Sequence, residues 1–365
     1  MQVLTLIDSL IAAGAERMAV NIANLLADEG IGSHLCATRV GGPLEEFIGD
    51  EVLFFVANKK GVLDISALNR IGRYIKNNHI NIIHAHSSSI YWGFILKLLF
   101  PEVKLVWHDH FGLSEQIYKR PSFWLKRVSS IVDHAFVVNE KLYDFATDIL
   151  KMPLNKVSFL ANFASLDISY HNQVELPDNN CYPKLLCLAN LRRQKDHDNL
   201  LYAFAEVAKA YPNARLYLVG GHFGDEYYRH LNKRIEKEES LRKRVFILGS
   251  RNDVAGILAG CDIGILSSLS EGLPVALLEY GSALLPVVCT DVGDCGFVLD
   301  KGRCGELVPA HNSKALADAI IYVLENGGQA QKKAALLKER IDLNFSRKGA
   351  GEKILKVYNS LCIDI

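Results

Sequence analysis

Short apolar runs alternate with amphipathic stretches along most of the chain. Residues 3–7, V-L-T-L-I, form an apolar run of strand length. A polar loop over 8–14 follows, and from 15 to 29 the apolar positions recur every three to four residues until Gly30, a glycine suited to ending a helix. The same unit repeats, with strands expected near 35–38, 52–56, 80–84, 103–108, 135–138 and 157–160. Helices are expected near 65–77, 89–99, 123–131 and 141–150. Strands that alternate with helices imply βαβ units and a parallel, doubly wound sheet.

Residues 162–183 interrupt this rhythm with Asn, Asp and Pro, the composition of a linker. The alternation resumes with strands expected at 184–188, 216–219, 245–248, 263–266 and 286–289. Helices are expected at 196–210, 225–239, 254–258, 313–325, 331–341 and 347–361. The fold class is therefore α/β, with two Rossmann-like parallel-sheet domains facing across a cleft. The expected domains are 1–165 and 184–346, joined by a linker at 166–183. Ligands of such sheets bind at the carboxyl ends of the strands.

Composition narrows this picture without redirecting it. The chain has 365 residues, 49% of them apolar and 22% charged, with a formal net charge of zero. That balance is typical of a soluble globular chain and gives no reason to expect nucleic-acid binding. The eight cysteines form no C-x-x-C pair, and Cys187, Cys261 and Cys289 lie in apolar runs. They read as reduced core residues of a cytosolic protein. The opening stretch lacks a basic segment and is broken by Asp8, so a first strand is expected there in preference to a signal peptide. No uninterrupted apolar run is long enough for a spanning helix.

The stretch S-S-L-S-E-G-L-P-V-A-L-L-E, residues 267–279, carries the main chemical signal. It follows a buried strand and opens a helix, and the missing N–H of Pro274 suits a first helical turn. The unpaired amides of a helix N-terminus hold anions. Glu271 and Glu279 flank this anion site, which suggests phosphate on the amides and sugar hydroxyls on the carboxylates. Lys195, in the turn after the strand at 184–188, can neutralise a diphosphate leaving group; an ordinary basic turn with Arg192 and Arg193 is the alternative. Asp196-His197-Asp198 has the form of a metal-binding D-x-D triplet but falls where a helix cap is expected, and the capping reading is preferred. His84, His86, His108 and His110 lie at or just past strand ends. With no acidic or cysteine partner at ligand spacing, they read as lining residues rather than a metal site, and His110 is the preferred functional residue. Gly14 and Gly220-Gly221 sit in strand–helix turns where a ligand could approach the backbone. No G-x-G-x-x-G, P-loop or G-x-S-x-G signature is present.

Several strings together resemble the retaining glycosyltransferases of family 4, which have the GT-B fold. They are I-D-S-L…A-G-A-E-R near the start, I-I-H-A-H at 82–86, W-H-D-H at 107–110 and V-V-N-E at 137–140. A-N-L-R-R-Q-K-D-H at 189–197, L-V-G-G at 218–221 and L-G-S-R-N-D-V at 248–254 continue the series. The stretch at 261–279 and P-V-V-C-T-D-V-G at 286–293 complete it. The resemblance implies transfer of a sugar from a nucleoside-diphosphate-sugar to a hydroxyl acceptor, with retention of anomeric configuration, no required metal and no other cofactor. It implies that Glu279 binds the ribose, that Glu271 and the turn backbone after Gly272, with Leu273, Pro274 and Val275 on the donor side, hold the sugar, and that Lys195 pairs with the diphosphate. His110 would contact the sugar near the reacting carbon. Ser250 and Arg251 would line the base pocket, with Gly220 on the donor side. The acceptor would lie against the first domain, near Ala13, Gly14 and His86, and the final helix would pack back on that domain.

Two positions depart from the family pattern. Ala13 stands where a second glycine is common, and Asn190 where an arginine is common; Arg192 is the candidate replacement cation. These departures motivate a catalytically silent sugar-nucleotide-binding protein as an alternative, and a GT-B sugar-nucleotide epimerase is a second. The expected acceptor is a saccharide or lipid-linked saccharide in surface polysaccharide or glycolipid assembly. Location would be cytoplasmic; Lys119 and Arg120 beside Tyr118, Phe123 and Trp124 form a small basic-aromatic stretch that could make peripheral membrane contact, with a solvated loop over a core helix as the preferred alternative.

Overall fold

The computed structural model describes residues 1–11, 14–62, 64–112, 114–163, 174–178 and 181–362. They form two units, Met1–Phe163 with Arg347–Ile365, and Ala164–Ser346. In the first unit the order is β1 (Gln2–Ser9), α1 (Gly14–Asp28), β2 (Gly32–Val40), β3 (Leu53–Val56), α2 (Ile65–Asn77) and β4 (Ile82–His86). It continues with α3 (Ile90–Leu99), β5 (Lys104–Asp109), α4 (Phe123–Ser129), β6 (His134–Val137), α5 (Glu140–Asp144) and β7 (Val157–Phe159). The second unit contains β8 (Lys184–Leu188), α6 (His197–Ala210), β9 (Arg215–Val219), α7 (Glu226–Lys237), β10 (Val245–Gly249), α8 (Val254–Ala259) and β11 (Ile263–Leu266). It ends with α9 (Val275–Ser282), β12 (Val287–Thr290), α10 (Cys295–Val298), β13 (Glu306–Val308), α11 (Ser313–Glu325) and α12 (Gly327–Asn344). The last helix, α13 (Arg347–Cys362), returns to the first unit.

Both sheets are parallel, and both are buried on their two faces. The first runs β3-β2-β1-β4-β5-β6-β7, the second β10-β9-β8-β11-β12-β13. Alternation along β1 sends Leu4 and Leu6 into a core with Ile71 of α2 and Leu96 of α3. It sends Val3 into a core with Ile22 of α1 and with Ile354 and Tyr358 of α13. Here α13 comes so close to α1 that a side chain at Gly351 would meet Leu25 at 3.3 Å. Asp or Asn residues start several of the helices with a side-chain bond to a first-turn amide, as Asp64 does for α2 (3.0 Å), Asp225 for α7 (2.9 Å) and Asn312 for α11 (3.0 Å).

Strand order reverses once in each sheet, between β1 and β4 and between β8 and β11. Parallel sheets open a ligand crevice outside the carboxyl ends of the strands at such a point. The loops after β1, β4, β8 and β11 are therefore the places where binding residues should gather.

Some expected elements differ. The helix expected over 141–150 is a short α5 followed by a widened π turn at Phe145–Ile149, closed by the Leu150 N–H on the Phe145 carbonyl at 2.9 Å. That turn buries Phe145 and Ala146 together. α12 begins earlier than its apolar period shows, because Gly327-Gly328 opens it. β13 has only three residues, too few for periodicity, and is held by register with β12. The linker expected at 166–183 falls mostly outside the described residues.

Candidate functional site

At the switch point of the second unit, the loops after β8 and β11 are laced together. The Leu269 N–H donates to the Gln194 carbonyl at 2.8 Å, and Gln194 Nε2 donates to the Ser270 carbonyl at 2.7 Å. Ser267 Oγ donates to the Lys195 carbonyl at 2.9 Å. This lacing brings Lys195 Nζ to 2.5 Å from Glu271 Oε1, an oxygen that also accepts from Ser268 Oγ at 2.5 Å. The Glu271 side chain is 7% exposed and that of Lys195 22%, so the cation faces outward from a buried carboxylate. The loop after β12 closes over the same backbone. Gly293 takes a left-handed φ of 54°, and a Cβ there would lie 2.0 Å from the Glu271 carbonyl oxygen.

The helix that follows, α9, starts at Pro274 without a side-chain cap, so its first-turn amides gain no bond from the cap residue. Tyr280 fixes its position from below. Its hydroxyl accepts the Leu188 N–H at 2.7 Å and donates to the Ile265 carbonyl at 3.1 Å, tying α9 to β8 and β11. Burial raises the Tyr280 phenol well above its ordinary value, so this donor keeps its proton. Gly272, Val275 and Glu279 are half-buried, whereas Leu273 and Pro274 are buried.

Asn190 proves to be a latch: its Oδ1 accepts the Gly221 N–H at 2.8 Å and joins the loops after β8 and β9. The joint is tight, since a Cβ on Gly220 would lie 2.2 Å from the Ala189 carbonyl oxygen. Arg192 is half-buried, with its guanidinium 5.3 Å from the centre of the Phe223 ring and its buried Nε without a partner. Ser250 is exposed, and Arg251 forms a fork with the Asp253 carboxylate, Nε to Oδ1 at 2.7 Å. That bond raises Arg251 and lowers Asp253 from their ordinary pKa values. Asp196 caps α6 through the Asn199 N–H, in the way the capping reading expects. Asp198 binds Arg234 and His230 instead of turning toward Asp196.

In the first unit, β4 and β5 pair with His86 opposite His108, so His84, His86, His108 and His110 form one ladder of rings. Centroids lie 4.6 Å apart for His84 and His86, 5.2 Å for His86 and His110, and 4.0 Å for His108 and His110. Tyr358 of α13 bonds His84 Nδ1 at 2.6 Å, and His86 Nδ1 meets His110 Nε2 at 3.1 Å. Burial lowers every one of these rings, His84 and His110 to about 3 and His86 and His108 well below the ordinary value. His110 is half-buried as a residue, with its Nδ1 buried and its Nε2 paired with His86.

His84, His86 and His108 have ring nitrogens within 4.8 Å of one another, the only metal-like grouping among the described residues. Three imidazoles on a tetrahedral ion sit about 3.4 Å apart, with lone pairs converging on one point. Stacking at 9° between His84 and His108 instead sends the lone pairs side by side, so the ladder suits packing better than chelation.

Sequence reasoning missed the brace behind His110. Asp109 binds Arg120 through two bonds of 2.5 and 3.0 Å, and the guanidinium lies 4.5 Å from the Phe111 ring centre and 5.0 Å from that of Phe145. Arg120 therefore faces inward, not toward a membrane as its basic-aromatic neighbours suggested. The D between two histidines in W-H-D-H was the available signal. Of the acceptor-side candidates, Gly14 is exposed, with open space where a Cβ would go, His86 is buried, and Ala13 lies outside the described residues.

Comparison with known proteins agrees with this geometry. The model for Glycosyltransferase Family 4 matches residues 12–167, and that for Glycosyl transferases group 1 matches 182–326. The chain is 25% identical to the Escherichia coli UDP-Gal:alpha-D-GlcNAc-diphosphoundecaprenol alpha-1,3-galactosyltransferase, over 86% of this chain and 85% of that one. It is 28% identical to the Bacillus anthracis N-acetyl-alpha-D-glucosaminyl L-malate synthase, over 50% and 45% of the two chains. In fold it is similar to Anabaena HepE in complex with UDP and glucose, with a TM-score of 0.80 at 18% identity over 99% of this chain and 100% of that one. Sucrose-phosphate synthase from Thermosynechococcus elongatus gives 0.79 at 18% identity over both whole chains. Two parallel-sheet units, the Lys195–Glu271 pair at a switch point and these matches agree: the chain belongs to the family 4 glycosyltransferases of GT-B fold.

Proposed function

We propose that this glycosyltransferase is a retaining enzyme that moves a sugar from a nucleoside diphosphate to a hydroxyl of a lipid-linked saccharide, in surface polysaccharide or glycolipid assembly. The Lys195–Glu271 pair carries the reading, because it sets a cation beside the amide end of α9 where a diphosphate would bind. Lys195, Arg192 and those amides meet the growing negative charge of the leaving group, and the chemistry calls for no metal. Glu271 takes the sugar's hydroxyls, Glu279 the ribose, and Ser250 with Arg251 the base. His110, neutral at working pH, contributes a hydrogen bond to the sugar rather than a charge. Retention follows if a leaving-phosphate oxygen takes the acceptor proton on the face the phosphate is vacating. The lipid-linked acceptor is supported by the Escherichia coli relative, whose name specifies a diphosphoundecaprenol substrate.

Peripheral membrane contact is part of the same proposal. Tyr118 is 78% exposed, and Phe123 and Trp124 are each 69% exposed, beside exposed Lys119, Lys126 and Arg127. Aromatic and basic side chains together suit an anionic bilayer surface. No helix among the described residues is long and apolar enough to cross a membrane. A thermal-shift panel of nucleoside-diphosphate sugars tests the donor reading: a ligand at a hundred times its Kd adds about 2.7 kcal/mol of stability. Absence of any shift across uridine, guanosine, thymidine and adenosine diphosphate sugars would contradict it.

A further inference from the structure

Four neighbouring strands of the first unit, β3, β2, β1 and β4, bring together at their carboxyl ends a charged group that donor chemistry leaves unused. Asp8, near the end of β1, accepts Thr38 Oγ1 from β2 and Ser88 Oγ from beyond β4, each at 2.7 Å. Lys59, just past β3, places Nζ 3.4 Å from Asp8 Oδ1, and Arg39 of β2 approaches the same oxygen at 3.9 Å. The Lys59 N–H also donates to the Thr38 carbonyl at 2.7 Å, and its ammonium lies 4.6 Å from the Trp92 ring centre. The residues just before Lys59 and Ser88, namely Asn58 (φ 51°) and Ser87 (φ 50°), hold the left-handed conformation. Asparagine adopts such backbone readily, but for Ser87 it is costly and persists where surrounding structure enforces it, often at binding sites.

Both Asp8 oxygens are already occupied. Burial would raise its carboxyl, but the Ser88 and Thr38 hydroxyls, with Lys59 and Arg39, hold it below the ordinary value, so it stays ionised. The remaining capacity is cationic. Two cations face one carboxylate, and the Lys59 side chain, 6% exposed, has three donors but only a long contact to Asp8. The Arg39 side chain is 50% exposed and open to a ligand. We propose that Arg39 and Lys59, organised by Asp8, form a subsite for an anionic group of the acceptor, a phosphate or diphosphate. This rests on the reading that the first unit takes the acceptor.

The test uses the full chain with its donor site filled by saturating nucleoside diphosphate, titrated with inorganic pyrophosphate by calorimetry. Lys59→Met and Arg39→Gln should each weaken pyrophosphate binding by about tenfold, the scale of one charge-assisted contact, while nucleoside diphosphate affinity stays at the parent value. Arg39 is half-exposed, so its variant folds even if Lys59→Met does not. Equal pyrophosphate affinity in parent and Arg39→Gln, or no binding by the parent, overturns the subsite. Loss of nucleoside diphosphate binding in the parent would count against the donor reading instead, so the two failures are distinct. Competition then identifies the source. Displacement of pyrophosphate by a soluble glycosyl 1-phosphate supports a free sugar phosphate, and displacement only by a polyprenyl-diphosphate saccharide supports a lipid-linked one; displacement by neither overturns the assignment to the acceptor.

Discussion

Acidification should destabilise the first unit from about pH 6.5 downward, before most of its carboxylates are protonated. His84 is fully buried and held to about 3, against an ordinary value of 6.5, chiefly by desolvation and then by its neighbours His110 and His134. A histidine with a depressed folded-state pKa stays neutral while the unfolded chain takes up a proton. Stability is therefore unaffected above about pH 6.5 and falls as pH drops from there toward 3. At pH 5 this amounts to about 2 kcal/mol for His84 alone, from one and a half pH units at 1.36 kcal/mol each. His86 and His108, also fully buried, act in the same direction. Against a domain stability of about 5–15 kcal/mol, that loss should be plain in urea melts at pH 7.5, 6 and 5. Near-ultraviolet circular dichroism would follow Trp92 and Trp107 in the first unit. A midpoint unchanged between pH 7.5 and 5 would show that the rings are hydrated or already protonated, and the buried neutral ladder would be wrong.

Three other outcomes follow from the same geometry. Glu279→Ala should weaken binding of the nucleoside diphosphate itself by about tenfold in calorimetry, the loss of a charged hydrogen bond; equal affinity would remove its ribose role. Tyr280→Phe leaves the Leu188 N–H without its partner and should cost about 1–3 kcal/mol in a denaturant melt, with no effect expected if water replaces the hydroxyl. Replacing both Phe123 and Trp124 with Ser should reduce co-sedimentation with phosphatidylglycerol vesicles and leave turnover of a soluble acceptor unchanged. Unaltered co-sedimentation would place the membrane contact elsewhere.

Most of the fold was readable because each strand–helix unit repeats one physical pattern, a fully apolar run and then a half-apolar period. The losses came where that pattern is short or locally overruled. β13 is too brief for a period, and the widened turn at Phe145 follows from tertiary packing that no local sequence encodes. In the second unit, Lys195 and Glu271 were legible as separate residues, but their 2.5 Å contact depends on strand order, which brings β8 and β11 together across 76 residues. Asn190 looked like a lost cation, and the structure gives it a different task, the bond to Gly221. Arg120 was misjudged because an arginine among exposed aromatics resembles a surface patch; its carboxylate partner lies eleven residues earlier. Asp8 first appeared only as an interruption of an apolar run. Its partners Thr38, Lys59 and Ser88 come from three other strand ends and could not be matched to it by spacing.

The central claim is that sugar transfer depends on the cation held by Glu271. It is tested most directly by measuring acceptor-dependent release of nucleoside diphosphate in the parent and in Lys195→Met, each checked for folding by its melt. The account predicts turnover in the parent and a drop of about a hundredfold or more in kcat/KM for the variant, the scale of losing one stabilising donor at a developing charge. A folded Lys195→Met that releases product as fast as the parent would contradict it.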